Sequence, residues 1–150
     1  MKKIALILMV FIMITNCGYK AVYSSKNFDF NIIKIEKIEK NKINLAIERK
    51  LKNFSNNKAI NQISLQINAK KQIIIISKDL QGDPTRYQMI INLNLDIIND
   101  QNIKTNKNIV QKFSYNTSSN KFALNQYEKE IEEILINKII NELINNLSKL

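Results

Sequence analysis

"RYQMIINLNLDII", residues 86–98, shows the clearest alternation of apolar and polar side chains in this chain. Apolar side chains occupy every odd-numbered position: Tyr87, Met89, Ile91, Leu93, Leu95 and Ile97. The polar side chains occupy even-numbered positions: Arg86, Gln88, Asn92, Asn94 and Asp96. Because successive side chains of a β-strand point to opposite faces of a sheet, the pattern predicts a strand with one buried face and one face in water.

The segments on either side of this strand also have strand patterns. Before it, "KDLQGDPTR" at 78–86 holds Asp-Pro and one of the two glycines, which predicts a turn. Residues 62–76 begin with an alternating stretch and end in a run of isoleucines, and the interruption at 69–71 fits a long bent strand or a hairpin. After it, the polar stretch 99–108 predicts a loop or hairpin tip. Alternation then resumes over 109–115, and we expect this segment to pair antiparallel with 86–98.

Helical spacing occurs at two places. Apolar residues three and four apart over 41–54 predict an amphipathic helix with Asn41 as its N-cap. A second helix is predicted from Ala123 to the end, with an apolar arc too broad for a surface stripe. "FDFNIIKIEKI", residues 28–38, predicts a first strand with Phe28, Phe30 and Ile32 on one face and Ile33 and Ile35 on the other. The fold class expected is α+β: two helices packed on one face of a mostly antiparallel, roughly four-stranded sheet.

The N-terminal residues have the order of an export signal. Lys2 and Lys3 precede an apolar run over residues 4–14, which is too short for the roughly 20 residues of a membrane-spanning helix. The run closes at Cys17, the only cysteine, and Gly18 follows. This order resembles a bacterial lipobox, in which the cysteine is acylated and becomes the new N-terminus. A leftover or structural cysteine is the alternative. Asn16 stands where lipoboxes usually have Gly, Ala or Ser, so the efficiency of cleavage is not fixed by the sequence.

The predicted organisation is a signal peptide over 1–16, a lipidated tether over 17–27 and a single α+β domain over 28–150. Removing 1–16 from the 150 residues leaves 134, enough for one core. Without the two lysines of the signal, 21 of the 23 basic side chains remain against 13 acidic ones, a net charge of +8. This excess fits an anionic partner, and it fits equally well the AT-rich codon usage that the many Lys, Asn and Ile residues indicate. Nucleic acid is not expected as the partner of an exported chain.

The residue types that the chain lacks restrict its chemistry. It contains no histidine, and its one thiol is predicted to carry lipid. Ser-His-Asp and Cys-His catalysis and His or Cys metal sites are therefore excluded. The acidic residues fall mostly on predicted helix surfaces, where solvated faces explain them better than acid catalysis does. We expect no catalytic residues, no metal and no cofactor.

Three stretches together resemble one family. They are "CGYKAVY" at 17–23, "TRYQMIINLNLDI" at 85–97 and "FSYNTSSNKFALNQYEKEIEEILINKIINEL" at 113–143. They are similar to LptE, the family of lipopolysaccharide-assembly lipoproteins of the outer membrane, and the similarity extends over nearly all of the predicted mature chain. Membership would imply a lipid-anchored, non-catalytic protein on the periplasmic side of the outer membrane or in a barrel lumen. Its partners would be the outer-membrane β-barrel that inserts lipopolysaccharide, which it plugs and helps to assemble, and lipopolysaccharide itself.

Basic side chains near predicted turns are the candidates for contact with lipid phosphates. They are Lys70, Lys71, Lys78, Arg86, Lys104 and Lys107. Ordinary solvated lysines are the alternative for all but Arg86, whose planar guanidinium suits phosphate. Two other functions stay open: a generic outer-membrane lipoprotein that acts as an interaction module, and a periplasmic hydrolase that uses two carboxylates within about 10 Å in a cleft.

Overall fold

A computed structural model of the chain describes residues 28–54, 56, 59–101 and 103–149. The predicted signal peptide, the predicted tether and Cys17 lie outside the described residues. Within the described part, no helix is both long and apolar enough to cross a membrane.

The described residues form one four-stranded sheet and two α-helices. In chain order the elements are β1 (Phe30–Lys37), α1 (Lys42–Leu51) with a 3-10 turn (Lys52–Phe54), β2 (Asn61–Lys78), β3 (Pro84–Asn99), β4 (Lys104–Asn116) and α2 (Lys121–Leu147). The strands lie in the order β1-β2-β3-β4, with β1 parallel to β2 and the other two pairs antiparallel. The α+β class and the mostly antiparallel sheet are confirmed.

The strand predicted at 86–98 is β3, one of the two central strands. Each side chain of the odd-numbered set from Met89 to Ile97 is at most 3% exposed. These side chains and the inward side chains of β2 form one core with both helices. Helix α2 alone buries eight side chains in this core: Ile131, Leu135, Ile136, Ile139, Ile140, Leu143, Ile144 and Leu147.

Strand β1 departs from the predicted alternation. Ile32 pairs with Ile63, but Lys34 pairs with the next residue, Ser64, so Ile33 is the extra residue of a β-bulge. A bulge shifts the alternation by one residue. As a result Ile35 packs against the core together with Ile32. The assignment of Ile35 to the face opposite Ile32 was therefore wrong.

Residues 61–78 form one long strand, so the hairpin alternative for this segment is wrong. The turn that follows is held by Asp79, whose Oδ1 accepts hydrogen bonds from the Gln81 N–H (3.0 Å) and the Asp83 N–H (2.8 Å). Gly82 has φ +91° there, in the left-handed region that glycine adopts without a steric cost. Pro84 starts β3 directly after the turn.

Two asparagines connect the start of α1 to β2. Asn41 is the N-cap, since its Oδ1 accepts a 2.8 Å hydrogen bond from the Asn44 N–H. Its Nδ2 also donates to the Ala69 carbonyl (3.0 Å). Asn44 is fully buried; its Oδ1 accepts from the Ala69 N–H at 2.7 Å and its Nδ2 donates to the Glu39 carbonyl at 2.8 Å. Ala69 lies just beyond the end of the β1 pairing at Ile67, so the two asparagine side chains replace a neighbouring strand at this residue.

Candidate functional site

The sheet face opposite the helices is rich in side-chain amides. We call it the amide face, and define it by Gln66, Asn68, Asn92, Asn94, Asn106 and Asn108. These residues alternate with the core residues of β2, β3 and β4, which places them on the solvent side of the sheet. The strand register aligns Asn68, Asn94 and Asn108 directly opposite one another across three strands.

Hydrogen bonds connect these amides across the strands. Asn108 Nδ2 donates to Asn92 Oδ1 at 2.7 Å and also to Asn94 Oδ1. Nearer the β3–β4 turn, Asn106 Nδ2 donates to Asp96 Oδ1 at 2.7 Å. Cross-strand side-chain pairs of this kind stabilise a sheet and fix its register. They hold the amide groups at defined positions on the open face.

Asp96 is a carboxylate within this polar face. The Lys104 ammonium lies 2.8 Å from Asp96 Oδ2. The hydrogen bond from Lys104, together with the one from Asn106, lowers the pKa of the Asp96 carboxyl below its usual value. The carboxylate is thus held in its charged form and offset by a lysine, an arrangement typical of a structural ion pair rather than of an acid catalyst.

One amide acceptor on this face is unused. Asn68 Oδ1 is buried and has no hydrogen-bond partner among the described residues. Buried polar atoms are nearly always hydrogen-bonded. The described network therefore leaves this oxygen without a donor, and its burial places it below the surface that a partner protein would contact.

The six basic candidates do not form one cluster. Lys104 and Lys107 lie at the β3–β4 end of the sheet, Lys78 and Arg86 at the opposite end beside the β2–β3 turn, and Lys70 and Lys71 along β2 between these ends. Three of them have carboxylate partners: Lys70 with Glu39 (3.4 Å), Lys71 with Glu132, and Lys104 with Asp96.

The other three basic candidates have no ion pair within the described ranges: Lys78, Arg86 and Lys107. Arg86 pairs with Ser77 of β2 and Asn116 of β4, so it belongs to β3 close to the turn that carries Lys78. The end of the sheet at the β2–β3 turn therefore has two basic side chains that form no ion pair in the described part, although the turn itself also carries Asp79 and Asp83.

A pocket of about 350 Å³ lies at the other end of the sheet. Asp29, Asp100 and Ser148 are among its polar lining residues, and Asp100 Oδ2 accepts a 3.2 Å hydrogen bond from the Gln62 N–H. Two carboxylates thus line one cleft, which meets one of the two conditions of the hydrolase alternative. The described residues contain no group of three or more His, Cys, Asp or Glu able to hold a metal ion.

The amide face was not identified from the sequence as a site. Its residues appeared only as the polar half of the alternation in 86–98 and in the flanking strands. The signal that would have found it is the recurrence of Asn at the outward positions of neighbouring strands. Recognising the alignment of Asn68, Asn94 and Asn108 requires the pairing register, which the residue order does not contain.

No protein-family model matches the chain, and no curated protein matches it in sequence. Solved structures share its fold. Rare lipoprotein B from Shewanella oneidensis is similar at a TM-score of 0.60 and 12% identity, over 79% of this chain and 95% of that one. A minor lipoprotein from Acinetobacter baumannii has a TM-score of 0.60 and 16% identity, over 81% and 92%. An uncharacterized lipoprotein B from Nitrosomonas europaea has a TM-score of 0.60 and 11% identity, over 84% and 90%.

Proposed function

We propose that this protein, which has the fold of those bacterial lipoproteins, is itself a lipid-anchored outer-membrane lipoprotein of the LptE family. In this role it plugs the lipopolysaccharide-transport barrel, helps it to assemble and assists the insertion of lipopolysaccharide. The observation that carries the proposal is the fold, shared over about four-fifths of the chain with structures that are named lipoproteins. Cys17 at the end of an apolar N-terminal run supports it from the sequence.

The anchor is Cys17. A single acyl chain gives only marginal membrane binding, whereas two or more hold a protein stably. A cysteine that is acylated on both its thiol and its new amino group meets that requirement. Cys17→Ala removes the thiol and leaves every described residue unchanged. We expect the variant to lose membrane association while its circular dichroism spectrum stays that of the native domain.

The amide face supports a position within a barrel lumen. The inside of a transport barrel is polar, and a face of hydrogen-bonded Asn and Gln presents donors and acceptors without a large apolar area. The outer surface of α2 is also polar at exposed residues such as Asn137 and Lys138.

Lipid phosphates are proposed to bind at the β2–β3 end of the sheet. Lys78 and Arg86 lie there and form no ion pair in the described part of the chain, so their donor groups are not bound to the nearby Asp79 and Asp83. Arg86 offers two parallel N–H groups to phosphate, and Lys78 offers a point charge. We expect the combined Lys78→Gln and Arg86→Gln variant to weaken lipopolysaccharide binding at least fivefold, and Lys70→Gln, which already has Glu39 as a partner, to change it less.

Site-specific photocrosslinking in cells tests the position of the protein. A photoreactive side chain is placed at Asn94 on the amide face or at Asn137 on the exposed side of α2. A plug is surrounded by its barrel, so both positions should crosslink to the lipopolysaccharide-transport barrel. A generic interaction module should crosslink to a partner from one face only. Absence of the barrel from both sets of products would contradict the proposed function.

A carboxylate-pair hydrolase is the second candidate, and the pocket with Asp29 and Asp100 is the observation that favours it. We propose that the protein is not catalytic, because this pocket contains no histidine or cysteine to assist a carboxylate and because Asp100 is held by a backbone N–H. The Asp29→Asn and Asp100→Asn variants separate the two functions. Loss of lipopolysaccharide assembly in both, with normal folding and normal crosslinking to the barrel, would favour the hydrolase.

A further inference from the structure

Strand β2 is much longer than the strand beside it. The pairing of β1 with β2 ends at Lys37 and Ile67, whereas β2 continues to Lys78. Asn41 and Asn44 of α1 bind the backbone of Ala69, the next outward-facing residue. From Lys71 onward, no described strand or helix covers this side of β2. We call Lys71–Ile75 the β2 edge.

The backbone direction along the β2 edge follows from Ala69. Its N–H and C=O point away from β3, since they bind the side chains of α1. In an antiparallel pair these groups alternate in direction from one residue to the next. The register with β3 is unbroken from Ala69 to Ile75. Lys71, Ile73 and Ile75 therefore direct their N–H and C=O groups outward, in a row with a repeat of about 6.8 Å.

The side chains along this segment are apolar on both faces of the sheet. Ile73 and Ile75 are 41% and 47% exposed on the helix side, and Ile74 is 42% exposed on the other side. Ile76, at the irregularity of the register that follows, is 40% exposed. An exposed, apolar edge strand is a template for pairing with another strand, and proteins normally protect such edges with lysine or proline. The outer edge of β4 follows that rule, with Lys104, Lys107 and Lys112 along it. On β2 the lysines stand only at the two ends of the segment, at Lys70, Lys71 and Lys78, and residues 72–77 contain neither lysine nor proline.

If the chain is cleaved before Cys17, as proposed above, its own N-terminal segment is too short to pair along the β2 edge as far as Ile73. Phe30 pairs with Asn61 at the start of β2, and Ile73 lies 12 residues further on, about 40 Å along the strand. The ten residues between Cys17 and Phe28 span at most about 36 Å when fully extended. Even when fully extended, these residues are shorter than the distance to Ile73, and any pairing along β2 would need additional residues.

A second copy of this chain is also a poor occupant. Self-pairing of two β2 edges would bring together two sets of three lysines, Lys70, Lys71 and Lys78, within one seam. Like charges close to one another across strands are destabilising. Lys78 has no carboxylate partner in the described part of the chain. The charge favours a partner strand that carries an acidic residue near this lysine.

We infer that the β2 edge binds an extended strand of another protein, which adds to the sheet as a fifth strand. The N–H and C=O groups of Lys71, Ile73 and Ile75 form the main-chain hydrogen bonds, as in other strand-addition complexes. Apolar side chains of the partner cover Ile73 and Ile75 on one face and Ile74 on the other. An acidic residue at one end of the partner strand faces Lys78. This interaction surface follows from the sheet edge alone and does not depend on the proposed barrel partner.

The test uses the full chain, purified in detergent, and a defined probe. The probe is a nine-residue peptide of alternating valine and threonine with a glutamate at each end, capped at both termini. A matched peptide with N-methyl groups on its central five amides keeps the side chains but cannot form the main-chain bonds. We expect the first peptide to bind and the second to bind at least tenfold more weakly. Equal binding of both peptides would overturn the inference.

Two matched variants place proline on the two outer edges of the sheet. Ile73→Pro removes an outward N–H on β2, and Val110→Pro does the same on β4; neither removes a hydrogen bond to β3. We expect Ile73→Pro to weaken peptide binding at least tenfold and Val110→Pro to leave it unchanged. Circular dichroism confirms that each variant is folded. Equal effects of the two variants, or none from Ile73→Pro, would overturn the inference.

Amide hydrogen exchange of the unsubstituted protein, measured with and without the peptide, locates the binding site without relying on the folding of a variant. The peptide should slow exchange of the Lys71, Ile73 and Ile75 amides at least tenfold and leave outward amides of β4 unchanged. Protection confined to β4 would overturn the proposed site. Sedimentation analysis measures the oligomeric state and so tests pairing with a second copy of the chain. A dimer that Ile73→Pro converts to a monomer would show such pairing at the β2 edge, which also overturns the inference.

Discussion

Asn44 provides the strictest test of how α1 is held on the sheet. It is the only polar side chain fully buried within the described residues. Its Oδ1 is the partner of the Ala69 N–H at 2.7 Å, and Ala69 is itself fully buried. Asn44→Leu keeps the approximate size of the side chain and removes both of its hydrogen bonds. The variant therefore isolates the polar contribution of this residue from its packing.

The expected loss of stability follows from the groups left unpaired. A buried N–H without a partner costs roughly 1–3 kcal/mol, and Asn44 Oδ1 is the acceptor of the Ala69 N–H in the native structure. The Glu39 carbonyl belongs to an exposed residue and can turn to water, so it adds little. We expect the free energy of unfolding to fall by about 2–3 kcal/mol, which corresponds to a melting temperature lower by roughly 10 °C for a domain of this size.

Urea denaturation followed by circular dichroism measures the change. Asn137→Leu is the matched control: the same chemical change at an exposed residue of α2, where we expect a difference of at most about 0.5 kcal/mol. Hydrogen exchange adds a local measurement, because the Ala69 amide should lose protection in Asn44→Leu. If the two variants had equal stability, the Asn44 hydrogen bonds would not be holding α1 to β2.

Three further predictions concern other parts of the domain. Hydrogen bonds from Lys37 and then Lys52 lower the pKa of Glu48. The ionised Glu48 side chain therefore stabilises the fold above the ordinary pKa of a glutamate, and this stabilisation is lost as the pH falls through the lowered pKa of the folded state. Glu48→Gln should therefore flatten the decline of stability below about pH 4.5, and an unchanged acid profile would contradict this. Tyr115 Oη donates to Glu128 Oε1 at 2.6 Å, and burial, then this carboxylate, raises the pKa of Tyr115; Tyr115→Phe should cost about 1–2 kcal/mol and remove a tyrosine ionisation at high pH from a base titration followed by absorbance. Met89 is fully buried in the core, so Met89→Ala should lower the free energy of unfolding by roughly 2–5 kcal/mol in the same urea assay. A decrease under 1 kcal/mol would show that the surrounding side chains fill the cavity.

The sequence was sufficient for most of the sheet and both helices. Alternation in 86–98 identified β3 because every second residue from Met89 to Ile97 reaches the core without a bulge. Asn41 was recognised as an N-cap because its side chain bonds the nearby Asn44 N–H, a local interaction. Such features depend on residues close in the chain, and the residue order therefore contains them.

Features that depend on pairing between distant segments were not predictable. The bulge at Ile33 arises from the fit of β1 to β2 and reverses the direction of Ile35. The ion pairs of Lys70 and Lys71 depend on where Glu39 and Glu132 lie after folding. The continuity of β2 through residues 69–71 depends on its register with β3, since two short strands have the same local pattern.

The state of Cys17 tests the central claim most directly. Intact-mass spectrometry of the protein isolated from its native membranes measures it in one step. If the protein is a lipoprotein, we expect a chain that begins at residue 17. Its mass should exceed that of residues 17–150 by a diacylglyceryl group and a further acyl chain. A chain of that length with a free thiol, or one that still carries residues 1–16 without lipid, would contradict the proposal.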